Sequence, residues 1–133
     1  MDPARLAGTK LFAGLSDEEL QRCAECCEEI EVLTGSRVVN EGDYAYKLLV
    51  VLEGRLEVTR QGSHVAEIGP GDFFGEMALP EDGRRNADVV ALERSRLAKM
   101  MVWDFQDLCA AIPAVAERIE ATIAERAQQT PSQ

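Results

Sequence analysis

Between residues 30 and 101 glycine cuts the chain into short pieces. Gly35, Gly42, Gly54, Gly62, Gly69 and Gly71 separate runs rich in Val, Ile and Leu. Pieces this short and evenly punctuated read as strands joined by turns, which indicates a sandwich or barrel. A double-sheet jelly roll is the best match. The flanks have a different period. Residues 1–29 read as helical with a break, and Ser16-Asp17-Glu18-Glu19 is a capping box with Leu15 and Leu20 placed as a hydrophobic staple. That helix is expected from Asp17 to about Glu28. After Met101, Val102, Phe105, Cys109 and Ile112 share a helix face, and Pro113 suits the first turn of a second helix. Val115, Ala116, Ile119, Ile123 and Ala127 form its apolar stripe. The expected architecture is mainly β with flanking helices: a double-stranded β-helix (jelly roll) over 30–101, N-terminal helices before it and two C-terminal helices over 102–129. The 133 residues are one domain's worth, enough to bury about two-thirds of the unfolded surface.

The stretch 69–91 carries the chemistry. Gly69 and Gly71 flank Pro70 and mark a tight turn before a short strand, Asp72-Phe73-Phe74. Gly75 has no Cβ and lets a ligand approach the main chain. Glu76-Met77-Ala78-Leu79 is long enough for one helical turn before Pro80. The first amides of such a turn lack internal partners and favour an anion, a phosphate above all. Arg85 supplies a guanidinium, which matches a phosphate with two parallel hydrogen bonds. Residues 85–91 read as a strand with Arg85 at its start, Asn86 as a neighbouring donor and Ala87 small enough to leave room. Glu76 needs a separate partner beside an anion, and a ribose hydroxyl is a suitable donor. Taken singly, Arg85 and Glu76 read as solvated surface charges. Together with the glycines they read as a pocket for a sugar phosphate.

Composition limits the alternatives. The net charge of −10 argues against direct nucleic-acid binding and against an anionic membrane. No apolar stretch reaches the length of a membrane span, and no secretory leader is evident. Of the 4 cysteines, Cys23, Cys26 and Cys27 fall on one helix face with Leu20, so buried free thiols are expected rather than zinc or disulfides. A reducing, cytoplasmic setting follows. The 1 histidine, His64, reads as an exposed turn residue, and a metal-dependent jelly-roll enzyme would need several. No nucleophile is placed with a base, so no catalytic residue, catalytic cofactor or metal site is expected.

The whole run from Gly69, with Arg84-Arg85-Asn86-Ala87 behind it, resembles the phosphate-binding cassette of cyclic nucleotide-binding domains, the cyclic AMP receptor and protein kinase A regulatory subunit type. The resemblance covers nearly the whole chain. Glu41-Gly42-Asp43 and residues 47–58 look like the family's central hairpin, with Gly54 at its tight connection. The resemblance implies that Glu76 binds the ribose 2′-hydroxyl. Arg85 would bind the cyclic phosphate, helped by the amides of Gly75, Glu76, Met77 and Ala78 and by Asn86 and Ala87. Phe74 and Arg84 are counted with them as ligand-binding residues, and Val58 and Val65 would pack against the base. Thr130 falls near the place from which a polar residue reaches the adenine in bacterial members. Arg84 stands where many members have proline, and Asn86 where alanine, serine or threonine is common. The missing threonine tilts the expected ligand to cyclic AMP, with cyclic GMP as the other candidate. Asp88 and the acidic loop 79–83 add negative charge near the proposed anion site.

The implied function is a regulatory module in which the ligand shifts the helices from Val102 onward. Its output would lie in an effector protein or fused effector domain outside this chain, or in a homodimer through the C-terminal helix. The competing reading is a degenerate member of the fold that acts as a nucleotide-independent protein interaction module.

Overall fold

Leu48, Leu49, Val50 and Val51 are all buried. A strand turns successive side chains to opposite faces, so four buried in succession require cover on both sides. They lie in the strand Lys47–Glu53 of the computed structural model. It describes residues 1–40, 47–74 and 87–129, and the side chains of all these but 123 and 126–129. In chain order the elements are a 3-10 helix Pro3–Arg5, α1 Asp17–Glu25, β1 Cys27–Val32, β2 Arg37–Val39, β3 Lys47–Glu53, β4 Leu56–Arg60, β5 Ser63–Ile68 and β6 Phe73–Phe74. They continue with β7 Asp88–Ala91, β8 Ser95–Met101, α2 Val102–Ala111 and α3 Pro113–Gln129.

Among the described residues the strands form two four-stranded sheets, β1-β8-β3-β6 and β2-β7-β4-β5. Every recorded pairing is antiparallel. Leu49 and Val51 face the second sheet and pack with Val39, Leu56, Ile68, Phe74, Val89 and Leu97. Leu48 and Val50 face the other way, into a layer built by Leu6, Phe12, Leu20, Phe105, Leu108 and Val115. This is the expected sandwich of jelly-roll type with helices on one side. No helix among the described residues is long and apolar enough to cross a membrane.

Several local expectations need correction. The stretch 47–58 is not a hairpin: β3 pairs with β8 and β6, whereas β4 pairs with β5 and β7. Gly54 is where the chain crosses from one sheet to the other. Its φ is +102°, and a Cβ there would come within 2.0 Å of Ser95 Oγ and 2.7 Å of Ser95 Cα. Only glycine permits that approach.

Helix α1 ends at Glu25, three residues before the expected Glu28, because β1 opens at Cys27, which stands opposite Met100 of β8. Cys26 and Cys27 are therefore off the helix, although all four thiols are free. At the start of α1 the capping box is complete: Ser16 Oγ accepts from the Glu19 amide at 3.1 Å, and the Ser16 amide donates to Glu19 Oε1 at 2.9 Å. The turn near His64 is made by Gln61 and Gly62, both at positive φ. His64 itself lies in β5, exposed, opposite Thr59. At the C-terminal end α3 runs through Gln129, the expected end of the second C-terminal helix.

Candidate ligand site

The Gly69-to-Asp72 turn shows how the sequence sets up the site. Pro70 fixes φ at the first inner position, and Gly71 takes φ +90° at the second. The Asp72 amide closes the turn onto Gly69 O at 3.1 Å, and Asp72 Oδ2 accepts from the Gly69 amide at 3.0 Å. Two clamps then fix the turn in space. Gly71 N donates to Val51 O and Val51 N to Asp72 O, both at 2.8 Å, which ties it to β3. Lys10 N donates to Gly71 O at 2.9 Å, and the Lys10 ammonium pairs with the Asp72 carboxylate. The N-terminal segment thus grips the base of the glycine-rich run. Sequence reasoning missed Lys10, because no local pattern announces a contact across 62 positions.

From this turn the chain enters β6, at the edge of the first sheet, where Phe74 stands opposite Leu49. Ala87, a buried bend, leads into β7 in the second sheet. Residues 75–86 thus lie in sequence between β6 of the first sheet and β7 of the second. Gly75, Glu76, Met77, Ala78, Arg84, Arg85 and Asn86 lie outside the described residues, as do 41–46, the acidic loop 79–83 and Thr130. The strand expected over 85–91 is described from Asp88 to Ala91.

The described candidates form part of a wall. Phe74 is buried in the inter-sheet core, and Val58 packs partly buried against the same group. Val58 stands opposite Val89 on one side and Ala66 on the other. Between Val58 and Thr59 the register shifts, which leaves Val65 as the extra residue of a β-bulge. Val65 is half-buried and is not among the residues packed into the inter-sheet core. The structure thus brings Val58 and Phe74 into one apolar surface, with Ala87 at the start of β7 and Val65 at the bulge.

Asp88 does not join this surface. Val89 and Ala91 are the buried residues of β7, so alternation turns Asp88 and Val90 to the outer face of the sheet. Thr59, opposite Asp88, shares that outer face. It is polar: His64 Nδ1 lies 2.9 Å from Glu57 Oε2, and Arg55 Nη1 donates to Glu67 Oε1 at 2.7 Å.

The groups with shifted proton affinity lie elsewhere. Burial pushes the Cys27 thiol up to about 12 and the Cys23 thiol up to about 11. Both remain protonated at neutral pH and act as apolar filling beneath the helices, not as nucleophiles. Among the described residues no cluster of three His, Cys, Asp or Glu side chains is arranged to hold a metal ion. Glu29 is held below the usual carboxylate range, first by its hydrogen bond from Arg96 and then by Arg5. These charges cross the strand ends, with Arg96 Nε 2.6 Å from Glu29 Oε2.

This architecture has known counterparts. The profile of the cyclic nucleotide-binding domain matches residues 29–111. The cyclic AMP receptor protein of Thermus thermophilus is 30% identical over 129 residues, which is 93% of this chain and 60% of that protein. The crystal structure of Thermus thermophilus catabolite activator protein is similar with a TM-score of 0.80 at 30% identity, over 91% of this chain and 59% of that one. The N-terminal domain of a transcriptional regulator from Streptomyces coelicolor gives a TM-score of 0.71 at 29% identity, over 98% of this chain and 96% of that one. The chain spans 60% and 34% of the lengths of the first two curated relatives it matches.

Proposed function

This chain belongs to the cyclic nucleotide-binding domain family, and on that footing we propose that it captures cyclic AMP in preference to cyclic GMP and couples capture to its C-terminal helices. The observation that carries the reading is the family match over residues 29–111 of a two-sheet sandwich. On this reading Arg85 and the amides of 75–78 hold the cyclic phosphate, assisted by Asn86 and Ala87. Glu76 accepts from the ribose 2′-hydroxyl, and Val58 and Val65 receive the base. Phe74 anchors the run to the first sheet, and Arg84 stands beside the phosphate. Asn86 in place of threonine favours cyclic AMP, as does the relative named cyclic AMP receptor protein. The module is regulatory rather than catalytic.

One junction and one contact support coupling. Helix α2 follows β8 without a break, because Met101 closes the strand and Val102 opens the helix. Helix α3 is held by Arg118 Nη1 donating to Leu11 O at 2.9 Å, in the same N-terminal segment that grips Gly71 through Lys10. A ligand shifts such an arrangement only by its difference in affinity for two states. The output is read by an effector protein or a fused effector domain, or by self-association through α3. Free thiols fit a reducing, cytoplasmic setting. The outward turn of Asp88 removes one support from the reading as a nucleotide-independent interaction module.

Trp103 on α2 is the 1 tryptophan of the chain and is 53% exposed. Titration with cyclic AMP and cyclic GMP, followed by calorimetry and by Trp103 emission, tests both halves of the proposal. Heat with a shift in emission supports capture and coupling. Heat without a shift leaves capture and removes movement of α2, and tighter binding of cyclic GMP reverses the ligand assignment.

A further inference from the structure

Trp103 stands in the first turn of α2 and is 53% exposed. Gln106, Asp107, Ala110 and Ala111 are exposed as well, at the helical spacing that places them in one stripe with it. Phe105 and Leu108 take the opposite side of the helix into the core. Helix α1 has an exposed stripe of its own, Glu18, Arg22 and Glu25. An open groove of 310 Å³ lies between the two helices, with Ala111 and Ile112 on one wall and Glu18, Glu19 and Arg22 on the other. Burial, then Asp104 of α2 and Glu25 of α1, raise the half-buried Cys26 thiol, so charges from both helices meet around it. The two stripes are therefore parts of one surface.

The charge on this surface selects its occupant. Arg22 is the single base of α1 and α2, against Asp17, Glu18, Glu19, Glu25, Asp104 and Asp107. The last turn of α2 has no base, so its carbonyl end adds negative potential where the groove opens. A second copy of this chain, at a net charge of −10, would meet like charge here. We infer that the α1–α2 face docks a basic amphipathic helix of a partner protein. Trp103 and Ala111 are two turns apart, about 12 Å along the axis. That span suits a partner helix laid in the groove with anchors two turns apart. An arginine at one end would stack on the Trp103 ring and pair with Asp107. An apolar side chain at the other would seat against Ala111 and Ile112, where the small alanine leaves room. This inference goes beyond nucleotide capture and does not rest on it.

The probe is a synthetic amphipathic helical peptide of leucine and arginine, with a leucine–glutamate peptide of equal length as its control. Calorimetric titration of wild type, Trp103→Ala, Asp107→Lys and Glu93→Lys tests the assignment, and urea denaturation checks that each variant folds. Glu93 is exposed in the turn before β8, at the far end of that strand from α2. The arginine peptide should bind wild type at one site, more weakly as salt rises, and the glutamate peptide should not bind. Trp103→Ala and Asp107→Lys should each weaken the arginine peptide about ten-fold, the scale of an interface anchor, whereas Glu93→Lys should stay within about two-fold of wild type. An equal loss in all three variants would overturn the inference, because diffuse attraction to an acidic protein gives that pattern. No binding by folded wild type would overturn it, as would binding of the glutamate peptide with similar affinity. Sedimentation adds a further test: a wild-type dimer that dissociates in Trp103→Ala would make a second copy the occupant and overturn the basic partner.

Discussion

The two sheets differ in what covers them. The first, β1-β8-β3-β6, has the second sheet on one face and helices on the other, and β3 is buried at four successive positions. The second has cover on its inner face, and β4 and β5 turn charged and polar side chains outward. Burial on both faces makes the first sheet the stiffer body, because local opening free energy rises with buried apolar contact. Residues 75–86 leave the stiff sheet at Phe74 and join the half-covered one at Asp88. On the proposed function a ligand held by residues 75–86 would bridge the two sheets; the turn before them is clamped to the first sheet through Val51.

The largest predicted effect breaks the junction between the sheets. Gly54→Ala adds a methyl 2.0 Å from Ser95 Oγ at a φ of +102°. Overpacking and backbone strain together should cost about 3–5 kcal/mol, read as a fall in urea midpoint. A loss under about 1 kcal/mol, near the scale of a surface substitution, would mean that the crossing is less tight than the geometry indicates.

Adjacent residues of β3 sharpen the comparison. Leu48→Ala and Leu49→Ala should each cost about 2–5 kcal/mol, since both side chains are buried. They should part company in a ligand titration. Leu49 backs Phe74 on the site side, so its loss should also weaken nucleotide binding, whereas Leu48 faces the helices and its loss should leave the affinity of the folded fraction unchanged. Equal effects on binding would erase the functional distinction between the faces.

Smaller still is Glu76→Ala, which should weaken binding by about 1–3 kcal/mol, the scale of an unpaired polar partner. An unchanged dissociation constant would show that this carboxylate does not touch the sugar.

The smallest effect concerns pH. The folded-state pKa of Glu29 is depressed, so its contribution is present above the unfolded value near 4.5 and is lost as pH falls through the lower folded value. Glu29→Gln should flatten the stability curve below about pH 4.5 and leave its shape at neutral pH unaltered. A curve parallel to wild type in acid would show that the Arg96 and Arg5 contacts do not hold in solution.

What was legible in the sequence follows the same division. Glycine spacing and the capping box at Ser16 are local signals, and they located the strands, the turns and the start of α1. Pairing is not local. Nothing between Lys47 and Val58 says that the two strands belong to different sheets; that is decided by Met100, Phe74, Ile68 and Val89, far away in the chain. The same competition ended α1 early, because Cys27 gains a strand partner that its helical spacing did not reveal. The proposed anion site rests on residue types close together in sequence, Gly75, Glu76 and Arg85, which lie outside the described residues. Lys10 stayed hidden, because its contacts with Gly71 and Asp72 exist only in the folded chain.

Calorimetry with cyclic AMP on wild type and on folded Arg85→Ala reaches the central claim most directly. Saturable one-site heat from wild type that disappears in Arg85→Ala is the predicted result. Equal heat from both proteins would contradict the claim that this arginine holds the phosphate, and no heat from either, with cyclic GMP equally silent, would contradict nucleotide capture itself.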